Sequence, residues 1–375
     1  MIYLVIVIAG LCLAYANGAN DNFKGVATLF GSKTTNYRRA LAWATSMTLL
    51  GSVAAMLLAG NLIKRFSGKG LIEDSIVAQP SFAAAVALGA GLTVLIATWI
   101  GMPISTTHGL MGALIGTGLA AGSSLNYDIL GTKFVIPLLL SPVLAIVFTS
   151  VIYPVLRMVR IRMGVTHEHC LCVGQETVEV VPANCHAVAL ERAEQLSATL
   201  GKTVDCESQY QGKVMGLSAA DTLDRAHFLS SGIVSFARGL NDTPKIAALL
   251  MLASAYFSVT SSLIAVGIVI AIGGIISARK VAETMSKKIT TMNHGQGFTA
   301  NVITGVIVIG ASKFGLPVST THVSCGSLFG IGAVTGGAKV KTIGTILLAW
   351  ITTLPLAAGI AAATYLILKS QMGVQ

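Results

Sequence analysis

The chain has 375 residues, of which 54% are hydrophobic and only 11% charged, with a formal net charge of +10. Charged residues make up about a quarter of an ordinary soluble domain, so this balance excludes a soluble globular protein. The excess of basic residues is read as that of the loops of a membrane protein, and not as a nucleic-acid surface.

Apolar runs of spanning length recur along the chain, against a requirement of about 20 apolar residues per membrane helix. The first lacks a basic start and a small-residue cleavage site, so it reads as a retained span. Within its C-terminal part lies NGANDNFKGVA, Asn17–Ala27. The basic loop Lys33, Arg38, Arg39 follows, then the run Ala40–Ile63. Lys64, Arg65 and Lys69 come next, offset by Glu73 and Asp74. The run Phe82–Ile100 leads into GMPISTTHGLMGALIG, Gly101–Gly116, and Phe134–Leu156 closes the first half. The alternation of a membrane β-barrel is absent.

Residues 160–225 form a polar loop, with residues 1–159 and 226–375 as the membrane repeats on either side. The loop contains THEHCLCVG, in which His167, His169, Cys170 and Cys172, with Cys185 and His186, are a candidate zinc set whose spacing fits no standard finger. Otherwise the loop, with ALERAEQLSATL, reads as a small amphipathic element. The six cysteines are not expected to make a disulfide framework. Cys12 and Cys325 read as small core residues.

The second half repeats the first. RGLNDTPKIAA, Arg238–Ala248, aligns Gly239, Asn241, Asp242, Lys245 and Ala248 with Gly18, Asn20, Asp21, Lys24 and Ala27. After the run Ser258–Ser277 and a basic loop comes GLPVSTTHVSCGSLFG, Gly315–Gly330, and then the run Ile343–Leu368. Arg157, Arg160 and Arg162, the loop 33–39, Arg279, Lys280, Lys287 and Lys288, and Lys339 and Lys341 set these loops in the cytoplasm. The crossings then come out odd in each half. The expected fold is an all-α polytopic membrane protein built as an inverted-topology repeat with broken helices and helical hairpins. Both termini lie outside the cell membrane and the central loop inside.

Paired interruptions in matching spans mark a transport site near the midplane. Pro103 and Pro317 are expected to break the helix, and Ser105 and Ser319 to cap the half-helices that follow. Helix N-termini favour an anion. Ser105, Thr106, Thr107, Ser319, Thr320 and Thr321 add hydroxyls, and Asn20 and Asn241 add amides. Asp21 and Asp242 are costly in a span and functional by default. At about 5 Å and an effective dielectric of roughly 20, each would repel a phosphate by about 3 kcal/mol. A hard cation between them removes that repulsion, and oxygen ligands suit one. Lys24 and Lys245 are within reach of an internal salt bridge or of the ligand. His108 and His322 are candidates for proton carriers or for structural hydrogen bonds. Gly112/Gly116 and Gly326/Gly330 read as close helix packing. An intramembrane hydrolase using Ser105 and His108 is disfavoured by the duplication, and a simple anion channel by the carboxylates.

The paired motifs resemble those of the inorganic phosphate transporter (PiT) family of sodium- or proton-driven symporters, whose signature is close to G-A-N-D-V-A-N-A. The match is GAND at Gly18–Asp21, GLND at Gly239–Asp242, PISTTH, PVSTTH and ARKVAETMSKKITTMNHGQGFTAN. This chain departs with NFK where many members read VAN. The resemblance implies about 12 membrane segments, orthophosphate as substrate, and Asn20, Asp21, Asn241 and Asp242 at the site. The expected function is import of phosphate by symport with sodium. A proton-coupled phosphate permease or a sulfate permease is the alternative. Phosphate is assigned to Asn20, Asp21, Ser105–Thr107, Asn241, Asp242 and Ser319–Thr321. Sodium is assigned to Asn20, Asp21, Asn22, Ser105, Asn241, Asp242, Thr243 and Ser319. No catalytic residue and no cofactor are expected. The expected partners are phosphate, sodium, the lipid bilayer and a second copy of the chain.

Overall fold

The computed structural model describes residues 2–58, 60–166, 168–180, 191–202, 215–251 and 258–371. Two compact units divide the chain. One is Met1–Tyr153 with His227–Gln375, and the other is Pro154–Ala226.

In the first unit α1 (Ile2–Asp21) gives way at Asn22 to a short 3-10 turn and α2 (Ala27–Gly31). Then come α3 (Tyr37–Leu58), α4 (Gly60–Phe66), α5 (Asp74–Val77), α6 (Pro80–Trp99), α7 (Thr106–Ala120), α8 (Tyr127–Ile129) and α9 (Ile136–Arg162), whose residues from Pro154 on are counted in the second unit. The second half supplies α10 (Ala219–Leu250), α11 (Val259–Ser277), α12 (Arg279–Glu283), α13 (His294–Lys313), α14 (Thr320–Thr335) and α15 (Val340–Gln371). Among the described residues 7 stretches are long and apolar enough to cross a bilayer. That is fewer than the twelve segments implied by the resemblance. One reason is that α7 and α14 have 15 and 16 residues, short of the about 20 a full span needs.

These two short helices pair with α6 and α13 as hairpins. The breaks are built alike. Gly101 and Gly315 take left-handed φ of 74° and 65°. Met102 N and Leu316 N then reach back to Ala97 O and Ala311 O, both at 2.8 Å. This is the glycine stop that satisfies the last carbonyls of a helix. The helices therefore end at Trp99 and Lys313, four residues before Pro103 and Pro317, with the glycine just past each end, and the prolines sit in the extended segment that follows. The Asn-Asp motifs differ from one another. The first interrupts its helix, whereas α10 continues through Asn241 and Asp242 with Pro244 inside it, so only one of the two expected breaks forms there. At the first motif Gly25 lies against Ser235, where an added Cβ would be 2.3 Å from Oγ.

The two hairpins open toward opposite ends of the unit. At the open end of the first, Tyr365 Oη donates to Gln79 Oε1 at 2.8 Å, and Ser124 Oγ donates to Glu73 at 3.2 Å. At the open end of the second, Thr290 bridges Ala338 and Lys339 N donates to Ile289 O at 3.0 Å. Helix α15 joins these ends and touches the first hairpin midway, where Trp350 Nε1 donates to Pro103 O at 3.1 Å. At 1.5 Å rise per residue, Lys339 to Tyr365 is about 39 Å. The basic loops gather at the second of these ends. The Arg279 guanidinium lies 5.9 Å from the Tyr37 ring, and Lys287 Nζ 4.7 Å from the Phe30 ring. Lys339 Nζ donates to Lys287 O at 2.7 Å.

Glycine sets the spacing of the hairpin helices. An added Cβ at Gly112 or Gly116 would lie 2.3 or 2.1 Å from the Leu354 or Ala358 carbonyl of α15. At Gly326 or Gly330 it would lie 2.7 Å from the Pro142 or Ile146 carbonyl of α9. Each half thus uses the same small-residue seam, because apolar side chains gain nothing from leaving lipid for another helix and close backbone packing must hold them.

The second unit corrects the all-α expectation. It carries a three-stranded antiparallel sheet, β1 (His169–Val180), β2 (Glu191–Lys202) and β3 (Met215–Ser218), in the order β2-β1-β3. Residues 191–202 are good helix formers, yet they pair from Glu191↔Val180 to Lys202↔His169. Cross-strand pairing over twelve residues overrides local propensity here. Cys170 is disulfide-bonded, whereas Cys12 and Cys325 are free.

Gly116→Leu is expected to force α7 from α15 and to destabilise the protein by about 1–3 kcal/mol or more. A thermal melt of the detergent-purified variant checks this. Gly122→Ala, at a left-handed glycine with nothing within 4 Å, serves as the comparison and is expected to cost less.

Candidate functional site

The two Asn-Asp motifs and the two Ser-Thr-Thr-His motifs converge in the first unit, and every side chain in the network is buried. Asp21 is 1% exposed, Lys24 4%, Asp242 3% and Lys245 1%. Each lysine pairs with the aspartate three residues before it. Of the two roles open to Lys24 and Lys245 in the sequence, the salt bridge is the one formed.

The first pair is ringed by oxygens. Lys24 Nζ donates to Asp21 Oδ1, to Asn20 Oδ1 at 2.8 Å, to Ile104 O at 2.8 Å and to Thr321 Oγ1 at 2.6 Å. Asp21 Oδ2 accepts from Asn17 Nδ2 at 2.8 Å and Thr106 Oγ1 at 2.9 Å. The second pair follows the same plan. Lys245 Nζ donates to Asp242 Oδ1 at 3.3 Å, Thr107 Oγ1 at 2.8 Å and Val318 O at 2.9 Å. Thr320 Oγ1 donates to Asp242 Oδ2 at 3.3 Å.

The contacts cross between the halves. The lysine of the first half bonds the threonine of the second, Thr321, and the lysine of the second half bonds Thr107 of the first. Thr321 Oγ1 also donates to Ile104 O at 2.8 Å, and Thr107 Oγ1 to Val318 O at 3.4 Å. Ile104 and Val318 occupy the same place in the two copies. The starts of α7 and α14 are thereby joined about a local pseudo-two-fold.

Ser105 and Ser319 cap these helices, each accepting from the histidine N–H three residues on at 3.1 Å. Each cap uses a lone pair of the serine oxygen and leaves its O–H as a donor beside the threonines. Asn20 holds the first hairpin, donating to Thr98 Oγ1 at 2.9 Å and Met102 O at 3.0 Å. Asn241 donates to Asp242 Oδ1 at 3.0 Å and Val318 O at 3.1 Å. Asn22 and Thr243 turn away to α3. Asn22 Nδ2 donates to Thr45 Oγ1 at 2.8 Å, and Thr243 meets Ser52 at 2.7 Å. The His108 and His322 rings lie 4.4 Å apart, and His322 stacks on Trp350 at 3.8 Å. Nδ1 of His108 and Nε2 of His322 are buried without a hydrogen bond.

Sequence reasoning missed Arg238 and Asn17. Arg238 is 1% exposed. It donates to Asn17 Oδ1 at 2.9 Å, and to Asn22 Oδ1 and Thr48 Oγ1 at 3.1 Å each. The signal was present, since an arginine immediately before GLND in an apolar segment is functional by default. With Arg238 the network holds three cations against two carboxylates.

The zinc set of the loop does not assemble among the described residues. His167, Cys185 and His186 lie outside them. Cys170 is in a disulfide, which removes its thiolate as a ligand, and His169 Nδ1 is engaged with Thr166 Oγ1 at 2.8 Å.

The model of the phosphate transporter family matches residues 17–361. A Pyrococcus furiosus protein provisionally named a phosphate permease is 26% identical, over 99% of this chain and 97% of its own length. A Bacillus subtilis protein named a probable low-affinity inorganic phosphate transporter is 24% identical, over 98% and 97%. A solved structure titled "The sodium-dependent phosphate transporter" superposes with a TM-score of 0.76 at 22% identity, covering 98% of this chain and 99% of that one. At that identity the likeness is one of fold.

Removing one partner of a buried pair leaves an uncompensated charge. Lys245→Ala is therefore expected to cost about 3–5 kcal/mol of stability. The double variant Asp242→Asn/Lys245→Ala is expected to recover much of that loss. Thermal melts of the single and double variants in detergent check this, and equal destabilisation by both would contradict it.

Proposed function

The chain belongs to the phosphate transporter family, and from that premise we propose that it carries inorganic phosphate by alternating access, in symport with a cation. It is an integral membrane protein and a transporter, not an enzyme. The observation that carries the substrate reading is the buried network where α7 and α14 begin. Two helix N-termini, four threonine hydroxyls, three cations and only two carboxylates converge there. Helix starts and cations favour a compact oxyanion. In this reading Thr106, Thr107, Thr320 and Thr321, now bonded within the network, turn to the anion when it enters. Ser105, Ser319, Asn20 and Asn241 shape the site. Asp21 and Asp242 hold the cations that accompany it.

For the driving ion two readings stand, and the first is sodium, which the oxygen ligands of Asp, Asn, Ser and Thr and backbone carbonyls would suit if the lysines left them. Asn22 and Thr243, bonded to the α3 hydroxyls, flank that position. The proton is the second reading, favoured by one observation: both carboxylates already hold an ammonium group.

Alternating access fits an inverted-topology repeat. In support, the two hairpins open to opposite ends and meet at the crossed lysine–threonine contacts. The gathered basic loops 33–39, 279–288 and 339–341 favour a cytoplasmic position for that end. The disulfide at Cys170 pulls the other way for the central loop, because disulfides persist in oxidising compartments.

Radiolabelled phosphate uptake into proteoliposomes tests the function. Asp21→Asn and Asp242→Asn are each expected to abolish concentrative uptake while the protein still folds, and normal uptake by both would sink the site. For orientation, a cysteine replacing Ser75 is expected to react with an impermeant thiol reagent from outside cells, and one replacing Asn36 is not. The reverse pattern would turn the molecule over.

A further inference from the structure

We propose that Lys24 and Lys245 are tethered cations: their ammonium groups fill the positions beside Asp21 and Asp242 that a symported sodium ion would take, so transport by this chain does not use sodium. The inference rests on the phosphate-symport reading for its context, and it selects the driving ion.

The surroundings of the two nitrogens carry it. Around Lys24 Nζ stand a carboxylate, an amide oxygen, a hydroxyl and a backbone carbonyl, from Asp21, Asn20, Thr321 and Ile104. Around Lys245 Nζ stand a carboxylate, a hydroxyl and a backbone carbonyl, from Asp242, Thr107 and Val318. Oxygen-only sets of this kind are what a hard cation takes. An ammonium has three donors, so the four oxygens at Lys24 exceed what a lysine needs and match what an ion site offers. Carbonyls 104 and 318 belong to the extended segments between the hairpin helices, where backbone oxygens are not consumed by helix bonding. The same arrangement is built twice, with the threonine of the opposite half completing each set. A surface lysine that had merely found a partner would not be enclosed in this way, nor duplicated.

Occupancy and charge both follow. A sodium ion cannot sit against Asp21 or Asp242 on these oxygens while the ammonium is there. The two lysines also supply the charge of two monovalent cations. With Arg238 they leave the network one positive charge in excess of its carboxylates, so an anion can enter without a further cation. An ammonium on a side chain cannot be released to the other face. What it can exchange with water is a proton, the nitrogen keeping its electron pair.

The test is phosphate uptake by the full-length chain in proteoliposomes, with sodium or potassium at equal ionic strength. The wild-type initial rate is expected to be the same in both. The variant Lys24→Asn/Lys245→Asn keeps an amide oxygen near each site and empties the ammonium position. Its uptake is expected to become sodium-dependent, by about tenfold or more. A wild-type rate that rises about tenfold with sodium would overturn the proposal. So would a double variant that folds and transports equally well in both salts. If sulfate is carried and phosphate is not, the substrate reading fails, and the same salt comparison made with sulfate still decides this one. A melt of the purified wild type in sodium or potassium chloride decides it without transport, since a bound ion raises the melting temperature. No sodium-specific shift is expected, and a clear one would overturn the proposal.

Discussion

Two ammonium–carboxylate pairs buried in a helical body of apolar surface are the constraint on which the rest of the molecule depends. Taking such charges out of water is repaid only when every remaining proton and lone pair finds a partner. Helices cannot provide those partners, because their own carbonyls are already bonded. Backbone oxygens become available only where a helix stops, so Ile104 and Val318 must lie in extended segments. Those segments in turn need a clean helix end before them and a capped start after them. Gly101 and Gly315 provide the first, and Ser105 and Ser319 the second. Within a bilayer, such irregular backbone is tolerated only when buried in protein or lining a cavity. The hairpins, the glycine seams that press them onto α15 and α9, and the crossed threonines can all be read as consequences of the two pairs.

The pseudo-two-fold is broken at one point that matters. Asn17 and Arg238 occupy equivalent positions, and they bond each other across the axis. One half contributes an uncharged donor and acceptor, the other a guanidinium. That difference gives the centre its excess positive charge, which identical halves would lack. It also ties α1 to α10 and, through Thr48, to α3. Asn17 reaches Asp21 as well, so the arginine is one bond removed from the first pair.

Much of this was legible in the sequence, and the unread parts have physical causes. The duplicated motifs announced a duplicated site, because polar residues and glycine recur in an apolar background where each is costly. The glycine pairs announced close packing for the same reason. Arg238 was overlooked because it precedes the aligned residues and its partner in the other half is an asparagine, so the repeat itself hid it. Which way Asn22 and Thr243 turn was beyond reach. Neighbours of a motif residue on a helix point about 100° away from it, and here that direction is α3. The interrupted first motif and the continuous second were not distinguishable by pattern, since proline in the second argued for a break that surrounding packing does not require. The sheet of β1, β2 and β3 was hidden by a segment of helix formers whose pairing partner lies eleven or more residues away.

Substrate and driving ion meet in one small network, and the central claim is that the anion enters between the two Ser-Thr-Thr rows. Arsenate is a tetrahedral oxyanion close to phosphate in shape and charge, and arsenic scatters anomalously. The most direct measurement is an anomalous difference map of crystals grown with arsenate. A peak within hydrogen-bonding reach of Thr106, Thr107, Thr320 and Thr321, flanked by Lys24 and Lys245, is predicted. A peak at another place, with this network unchanged, would contradict it.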